Sequence, residues 1–166
     1  MSGEQTGNAA VIDRFYEAFA QRDAEAMCAC YTADVRFADP AFGPLQGDEV
    51  RAMWRMLCER GKDLEVVHSK VAAEGELGSA HWDADYTFSA TGRKVHNSID
   101  AAFRFEGGLI ADHEDSFDLY RWARQALGPV GLFLGWTPAV QKKIRSGARE
   151  SLDEFMAGDA DSSPPG

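Results

Sequence analysis

A chain of 166 residues that is 45% hydrophobic and 27% charged has the size and composition of one globular domain with a single core. Its net charge of −10 argues against partners built on phosphate, so neither nucleic acid nor a membrane surface is expected to bind it. Cys28, Cys30 and Cys58 form an odd set without CxxC spacing, which fits buried reduced thiols rather than a disulfide framework or a metal site.

The opening MSGEQTGNAA has neither a basic stretch nor an apolar core and does not read as a signal peptide, so the expected location is the cytoplasm. Residues 1–7 have the composition of a disordered N-terminus, and 157–166 that of a disordered tail. A first helix is predicted over about Ala9 to Ala20, with Val11, Phe15, Ala18 and Phe19 at helical spacing. Asp23 is placed to cap a second helix from Ala24 to Tyr31, and a short strand from Val35 to Ala38 stops at Asp39-Pro40. Asp48 opens a third helix striped by Val50, Met53, Trp54, Leu57 and Cys58. Gly61 then stands where a residue of positive φ is expected to end it.

From Leu64 the hydrophobic period changes to two, and a strand from Leu64 to Ala72 comes first. His81 to Ala90 follows, with Trp82, Ala84, Tyr86 and Phe88 on one face and His81, Asp83, Asp85 and Thr87 on the other. Val95 to Phe105 groups Val95, Asn97, Ile99, Ala101, Phe103 and Phe105. After Gly107-Gly108 the last strand carries Leu109, Ala111, His113, Asp115 and Phe117 on its more apolar face, leaving Ile110, Asp112, Glu114, Ser116 and Asp118 for water. Helices followed by hairpins make an α+β pattern, with helices on one face of an antiparallel sheet. That domain is expected to span 8–126. Residues 127–156 follow as an extension packed on it, an apolar segment and then a helix striped by Val140, Ile144, Leu152 and Phe155. Leu132, Phe133, Leu134 and Trp136 would form a large apolar patch if exposed, so the segment is expected to cover the sheet or a pocket mouth, with a dimer contact as the alternative.

The succession of amphipathic helix, RDAEAM, YTADVRF, Asp-Pro, TGR in a hairpin and FRFEGGLI resembles the nuclear transport factor 2-like superfamily over about residues 9–120. That group includes ketosteroid isomerases, SnoaL-like polyketide cyclases and limonene epoxide hydrolases. The resemblance implies a cone-shaped α+β barrel, a curved antiparallel sheet wrapped around the N-terminal helices, with an apolar pocket at its open end. It also implies a hydrophobic small molecule as ligand, no cofactor, and a homodimer through the convex sheet face. It leaves activity open, because this fold hosts many unrelated functions.

On that frame the pocket candidates are Trp82, Tyr86, Phe88, Asn97, Ile99, Ala101 and Phe117 on the sheet, with Phe15, Tyr16 and Trp54 from the helices. Asp39 matches the isomerases' general base, whose pKa burial would raise to a usable value; the alternative is a turn aspartate bonding its own backbone. His113-x-Asp115 resembles the epoxide hydrolases' Arg-x-Asp pair, and the cyclases place an aspartate base in the same strand. A histidine titrates near neutrality where arginine does not, so the pair could change protonation state during a reaction; the alternative is a satisfied ion pair. The isomerases' two oxyanion donors fall on Phe15 and Ala101, with Tyr16 one residue away and Asp100 on the opposite face, so steroid isomerisation is not implied. The expected function is a cofactor-independent acid–base enzyme of hydrolase, cyclase or isomerase type, with Asp39, His113 and Asp115 catalytic. The alternative is a non-catalytic ligand-binding or protein-interaction module.

Overall fold

A computed structural model describes residues 2–162, and side chains from 7 to 158. The elements run α1 (Ser2–Ala20), α2 (Ala24–Cys28), β1 (Tyr31–Asp39), β2 (Gly43–Gln46), α3 (Asp48–Arg60), β3 (Glu65–Glu74), β4 (Leu77–Phe88), β5 (Arg93–Glu106) and β6 (Leu109–Ser116). A C-terminal arm follows, made of α4 (Leu119–Leu127), α5 (Pro129–Leu134) and α6 (Pro138–Ser162). The strands form one curved sheet in the order β2-β1-β6-β5-β4-β3. Every neighbouring pair is antiparallel except β1 and β6, which run parallel, so the sheet is mixed rather than purely antiparallel.

The sheet wraps α1, α2 and α3 because the alternating residues of β4 and β5 offer one apolar face. Trp82, Ala84, Val95, Ile99, Ala101, Phe103 and Phe105 are all buried there. α1 answers with Ile12, Phe15, Tyr16 and Phe19, and α3 with Val50, Met53 and Trp54. Burying each of these large side chains stabilises the fold by about 1.5–3 kcal/mol. Asp23 caps α2 as expected, accepting a hydrogen bond from the Ala26 N–H at 3.1 Å. The three cysteines are free and buried, and burial pushes their thiols up, away from thiolate chemistry.

Several boundaries differ from the sequence reading. α1 starts at Ser2 rather than near Ala9, and α6 runs through residue 157 to Ser162. Nothing in either segment breaks the helix beside it, and each added residue gains one hydrogen bond. Met1 and 163–166 lie outside the described residues. β1 begins at Tyr31, where the second helix was expected to end, and β2 was not foreseen because GPLQ carries no alternation. Gly61 has φ −81° rather than a positive value. Its need is spatial, since a Cβ there would sit 2.7 Å from the Leu57 carbonyl oxygen. The largest correction is in β6, where the pairing shifts between Arg104↔Asp112 and Phe105↔Ile110. This bulge sends Ile110 into the core at 0% exposure and leaves Leu109 at 38%, the reverse of simple alternation.

The arm closes the wide end of the cone. Beyond the pair Asp100↔Ser116, β5 outruns β6 and would present an open edge. Gln125 of α4 takes the place of a strand there. Its Oε1 accepts from the His96 N–H at 2.8 Å and its Nε2 donates to the His96 carbonyl at 3.0 Å. Leu119, Trp122, Ala123 and Ala126 thereby settle on Val95, Tyr86, Phe88 and Phe117. α6 then crosses towards α3, burying Leu152 completely, while its Arg145 Nε donates to the Pro40 carbonyl and its Arg149 pairs with Glu49.

Candidate active site

The residues of β6 that point inward past the bulge are His113 and Asp115, at 1% and 4% exposure. A chain of hydrogen bonds fixes them. Trp54 Nε1 donates to Tyr31 Oη at 2.8 Å, Tyr31 Oη lies 2.8 Å from His113 Nδ1, and His113 Nε2 lies 2.9 Å from Asp115 Oδ1. An indole is a donor only, so the Tyr31 oxygen accepts there and its one proton is left for His113 Nδ1. Donor bookkeeping thus assigns the proton of His113 to Nε2, where it points at Asp115. Within this chain both nitrogens of His113 are committed, Nδ1 to Tyr31 and Nε2 to Asp115, which fixes the ring beside the carboxylate.

Asp115 also accepts from Trp82 Nε1 at 3.5 Å, again on Oδ1. Oδ2 therefore has no protein donor, yet the fully enclosed unpartnered side-chain atoms among the described residues are Tyr16 Oη and Thr32 Oγ1. The residual exposure of Asp115 accordingly reaches Oδ2, the oxygen left without a protein donor. Tyr16 stands on the same inner wall, its ring against Trp82, Phe103 and His68. Its hydroxyl pKa is raised well above the ordinary value, first by burial and then by the negative charge of Asp115. The buried stripe of α1 is wide enough to take Phe15 and Tyr16 together, both at 0% exposure. Phe15 fills space against the rings of Tyr31, Trp54 and His113.

Asp39 ends β1 beside this group. The parallel pairing runs Phe37↔His113 and Ala38↔Glu114, so Asp39 follows the last paired residue of β1 and feels the charge of Asp115. The neighbour of Asp115 on β5 is Ala101. Asp39 does form the turn, accepting from the Ala41 and Phe42 N–H groups at 2.9 and 2.6 Å, both on Oδ1. It is also half-buried, and its carboxyl is pushed from 3.8 to about 6 by burial, against the Phe42 N–H bond and with help from the charge of Asp115. The turn fixes Oδ1, and burial tunes the acid.

The rest of the predicted wall divides by depth. Ile99, Ala101 and Trp82 are buried, while Tyr86, Phe88, Asn97 and Phe117 are half-buried around the rim. Tyr86 Oη accepts from Trp122 Nε1 at 2.7 Å, which ties the rim to α4. On the convex face, His81 bonds Asp100 at 2.9 Å and Asp83 at 3.2 Å, and His96 bonds Asp85 at 2.8 Å. Among the described residues no group of three or more His, Cys, Asp or Glu side chains is placed to hold a metal ion. Of the apolar segment 127–138, Leu127 packs beside Val95 and Tyr86, whereas Phe133 and Trp136 are 70% and 63% exposed.

The chain is similar in structure to an NTF2-like protein of unknown function from Burkholderia pseudomallei, with TM-score 0.64 and 26% identity over 72% of this chain and 97% of that one. It is similar also to an LEH-like epoxide hydrolase from M. tuberculosis, with TM-score 0.64 and 20% identity over 80% and 98% of the two chains. A third is a protein of ketosteroid isomerase-like fold from Catenulispora acidiphila, solved in complex with trimethylamine, with TM-score 0.63 and 17% identity over 77% and 97%. No curated protein matches. In sequence, residues 12–113 match the SnoaL-like domain, a span from the middle of α1 to the histidine of the site, and the chain belongs to that family.

Proposed function

We propose that the chain is a cofactor-independent acid–base enzyme acting on a polar group of a hydrophobic small molecule held in the cone. The observation that carries this is that the charge of Asp115 reaches Asp39, two carboxyls in unlike surroundings at neighbouring strand positions. Asp115 is held as an acceptor by His113 and Trp82 through one oxygen, leaving the other to take a proton or activate water. Asp39 titrates at about 6, so near neutrality it holds and releases a proton, the role of the acid. Tyr16, a buried hydroxyl without a partner, supplies a donor for a developing oxygen charge. Epoxide opening, aldol-type cyclisation and isomerisation all use this set. A panel of apolar epoxides and of β-dicarbonyl compounds, monitored for turnover, tests it. Asp115→Asn is expected to lower kcat by a hundredfold or more, roughly the contribution of a positioned base. Full turnover by that variant would remove Asp115 from the chemistry.

A non-catalytic binding module is the second reading, and a specific observation favours it. Rings of Phe15, Phe37, Trp54 and Phe103 surround His113 at 4.5–6.0 Å, and the arm stands over the mouth. A panel ligand bound tightly but recovered unchanged would select it. The proposal also puts the protein in the cytoplasm as a homodimer through the convex face of β1, β6 and β5. A groove of about 590 Å³ runs there past Arg36, Gln46, Arg104, Asp112 and Glu114. A solution mass of one chain would remove the dimer.

A further inference from the structure

The net charge of −10 conceals a segregation. Residues 119–149 contain Arg121, Arg124, Lys142, Lys143, Arg145 and Arg149, and no aspartate or glutamate. Within this basic span α5 is amphipathic in the inverted sense. Gly131 and Gly135 are its inner face: a Cβ on Gly131 would lie 1.9 Å from the Ala123 carbonyl oxygen, and one on Gly135 would lie 2.9 Å from the Ala123 Cβ. Close approach to α4 thus requires the small residues inside and turns the large ones outward. Val130, Leu132, Phe133, Leu134 and Trp136 are 56%, 47%, 70%, 49% and 63% exposed.

The carbonyls of this tip from Gly131 to Gly135 are paired within the chain. The Leu132 N–H donates to the Gly128 carbonyl and the Gly135 N–H to that of Gly131. Tyr120 Oη donates to the Leu132 carbonyl, Trp136 Nε1 to that of Phe133, Thr137 Oγ1 to that of Leu134, and Gln141 Nε2 to that of Gly135. Satisfied carbonyls under an apolar surface are what entry into hydrocarbon demands, because no solvent there can pair them.

We propose that α5 and Trp136 dock the protein peripherally on an anionic lipid bilayer. Leu132 and Phe133 enter the acyl boundary, Trp136 lies at headgroup level, and Lys142, Lys143 and Arg121, all exposed, meet lipid phosphates. A second copy joined through the same patch would set Arg121, Lys142 and Lys143 against their own counterparts. A nucleic acid would use the arginines and the rings but leave Val130, Leu132 and Leu134 without a role. The average charge read from the sequence pointed away from membranes because it summed two regions of opposite sign. This proposal stands apart from the acid–base reading, since it concerns the outer face of the arm and not the cone.

Flotation of the full chain with phosphatidylcholine vesicles, with and without phosphatidylglycerol, tests it. The expected result is flotation with the anionic vesicles only, reversed by salt, and a blue shift of tryptophan emission. Trp136 reports that shift, since Trp54, Trp82 and Trp122 are already buried. The double variant Leu132→Ser/Phe133→Ser and the double variant Lys142→Glu/Lys143→Glu should each weaken binding about tenfold or more, with unchanged far-ultraviolet dichroism. Absence of flotation with anionic vesicles at low salt overturns the proposal, as does flotation that neither variant weakens. A dimer dispersed by Leu132→Ser/Phe133→Ser also overturns it, by giving the patch to a second copy.

Discussion

The cone and the arm break the same rule in opposite directions. In the cone, a histidine, two tyrosines and a carboxylate lie inside, and each polar atom except Tyr16 Oη and one oxygen of Asp115 is paired. In the arm, five large apolar side chains lie outside while glycines face the protein. The cone's inversion is held by hydrogen bonds, so its polar groups cost little until one is removed. The arm's inversion is held by close backbone packing, so its apolar groups support nothing in the chain that carries them. Polar-inside and apolar-outside are both positions at which folding alone would choose differently, and both are therefore where function is sought.

The largest effect should come from breaking the cone's network. His113→Ala is expected to lose about 3–5 kcal/mol, because it opens a cavity among aromatic rings and strips Asp115 of its nearer donor. Urea denaturation measures this, and a loss below about 1 kcal/mol would mean that the network is not a support. Asp39→Asn should act in the other direction. Its carboxyl rises from 3.8 in the unfolded chain to about 6 in the fold, so the native state keeps a proton that the unfolded state gives up. The contribution of Asp39 to stability is then greatest below pH 3.8, declines as pH rises to 6, and stays lower above it. Asparagine avoids that cost and can still accept from Ala41 and Phe42. The variant should gain on the order of 1–3 kcal/mol near pH 8 and almost nothing near pH 4, while losing turnover. Equal gains at both pH values would contradict the pocket origin of the shift.

What the sequence could disclose follows the same division. Strand alternation assigned the inward residues of β4 and β5 correctly, because side chains on a regular strand have no choice of face. It failed at Leu109 and Ile110, where one extra residue in β6 flips the pattern, and at the parallel neighbour of β6, which lies far away along the chain. His113 and Asp115 were legible from their apolar face. Tyr31, 82 residues away and bonded to His113, carried no local signal. The arm misled for a definite reason: a run of large apolar residues is ordinarily read as core, and only the glycine spacing at 131 and 135 marks which side of α5 packs. Conversely, the mouth-covering Trp122 stood in a stretch that offered no site motif at all.

Two smaller effects sharpen the contrast within the arm. Gly131→Ala should lift α5 from α4, since a Cβ at 1.9 Å from the Ala123 carbonyl oxygen cannot be accommodated. The expected cost is about 1–3 kcal/mol. It should be local, seen as faster amide exchange in α4 and α5 while β4 and β5 stay protected. Faster exchange across β4 and β5 as well would show that arm and cone fold as one unit.

The smallest effect is the most discriminating. Phe133→Ala should change stability by less than about 0.5 kcal/mol, whereas Phe103→Ala should cost about 3–5 kcal/mol for the same atoms removed. The two phenylalanines differ in burial, 70% against 3% exposed, and truncation removes buried area only where there is some to remove. Chemical denaturation of the pair at two protein concentrations reads this directly. If Phe133→Ala costs more than about 1 kcal/mol, and the cost grows with concentration, another copy buries the tip in solution and the arm's apolar face is an interface rather than a free surface. If the cost is near zero at both concentrations, the exposed ring adds nothing to this chain's own fold. Its size and position then answer to something outside the protein.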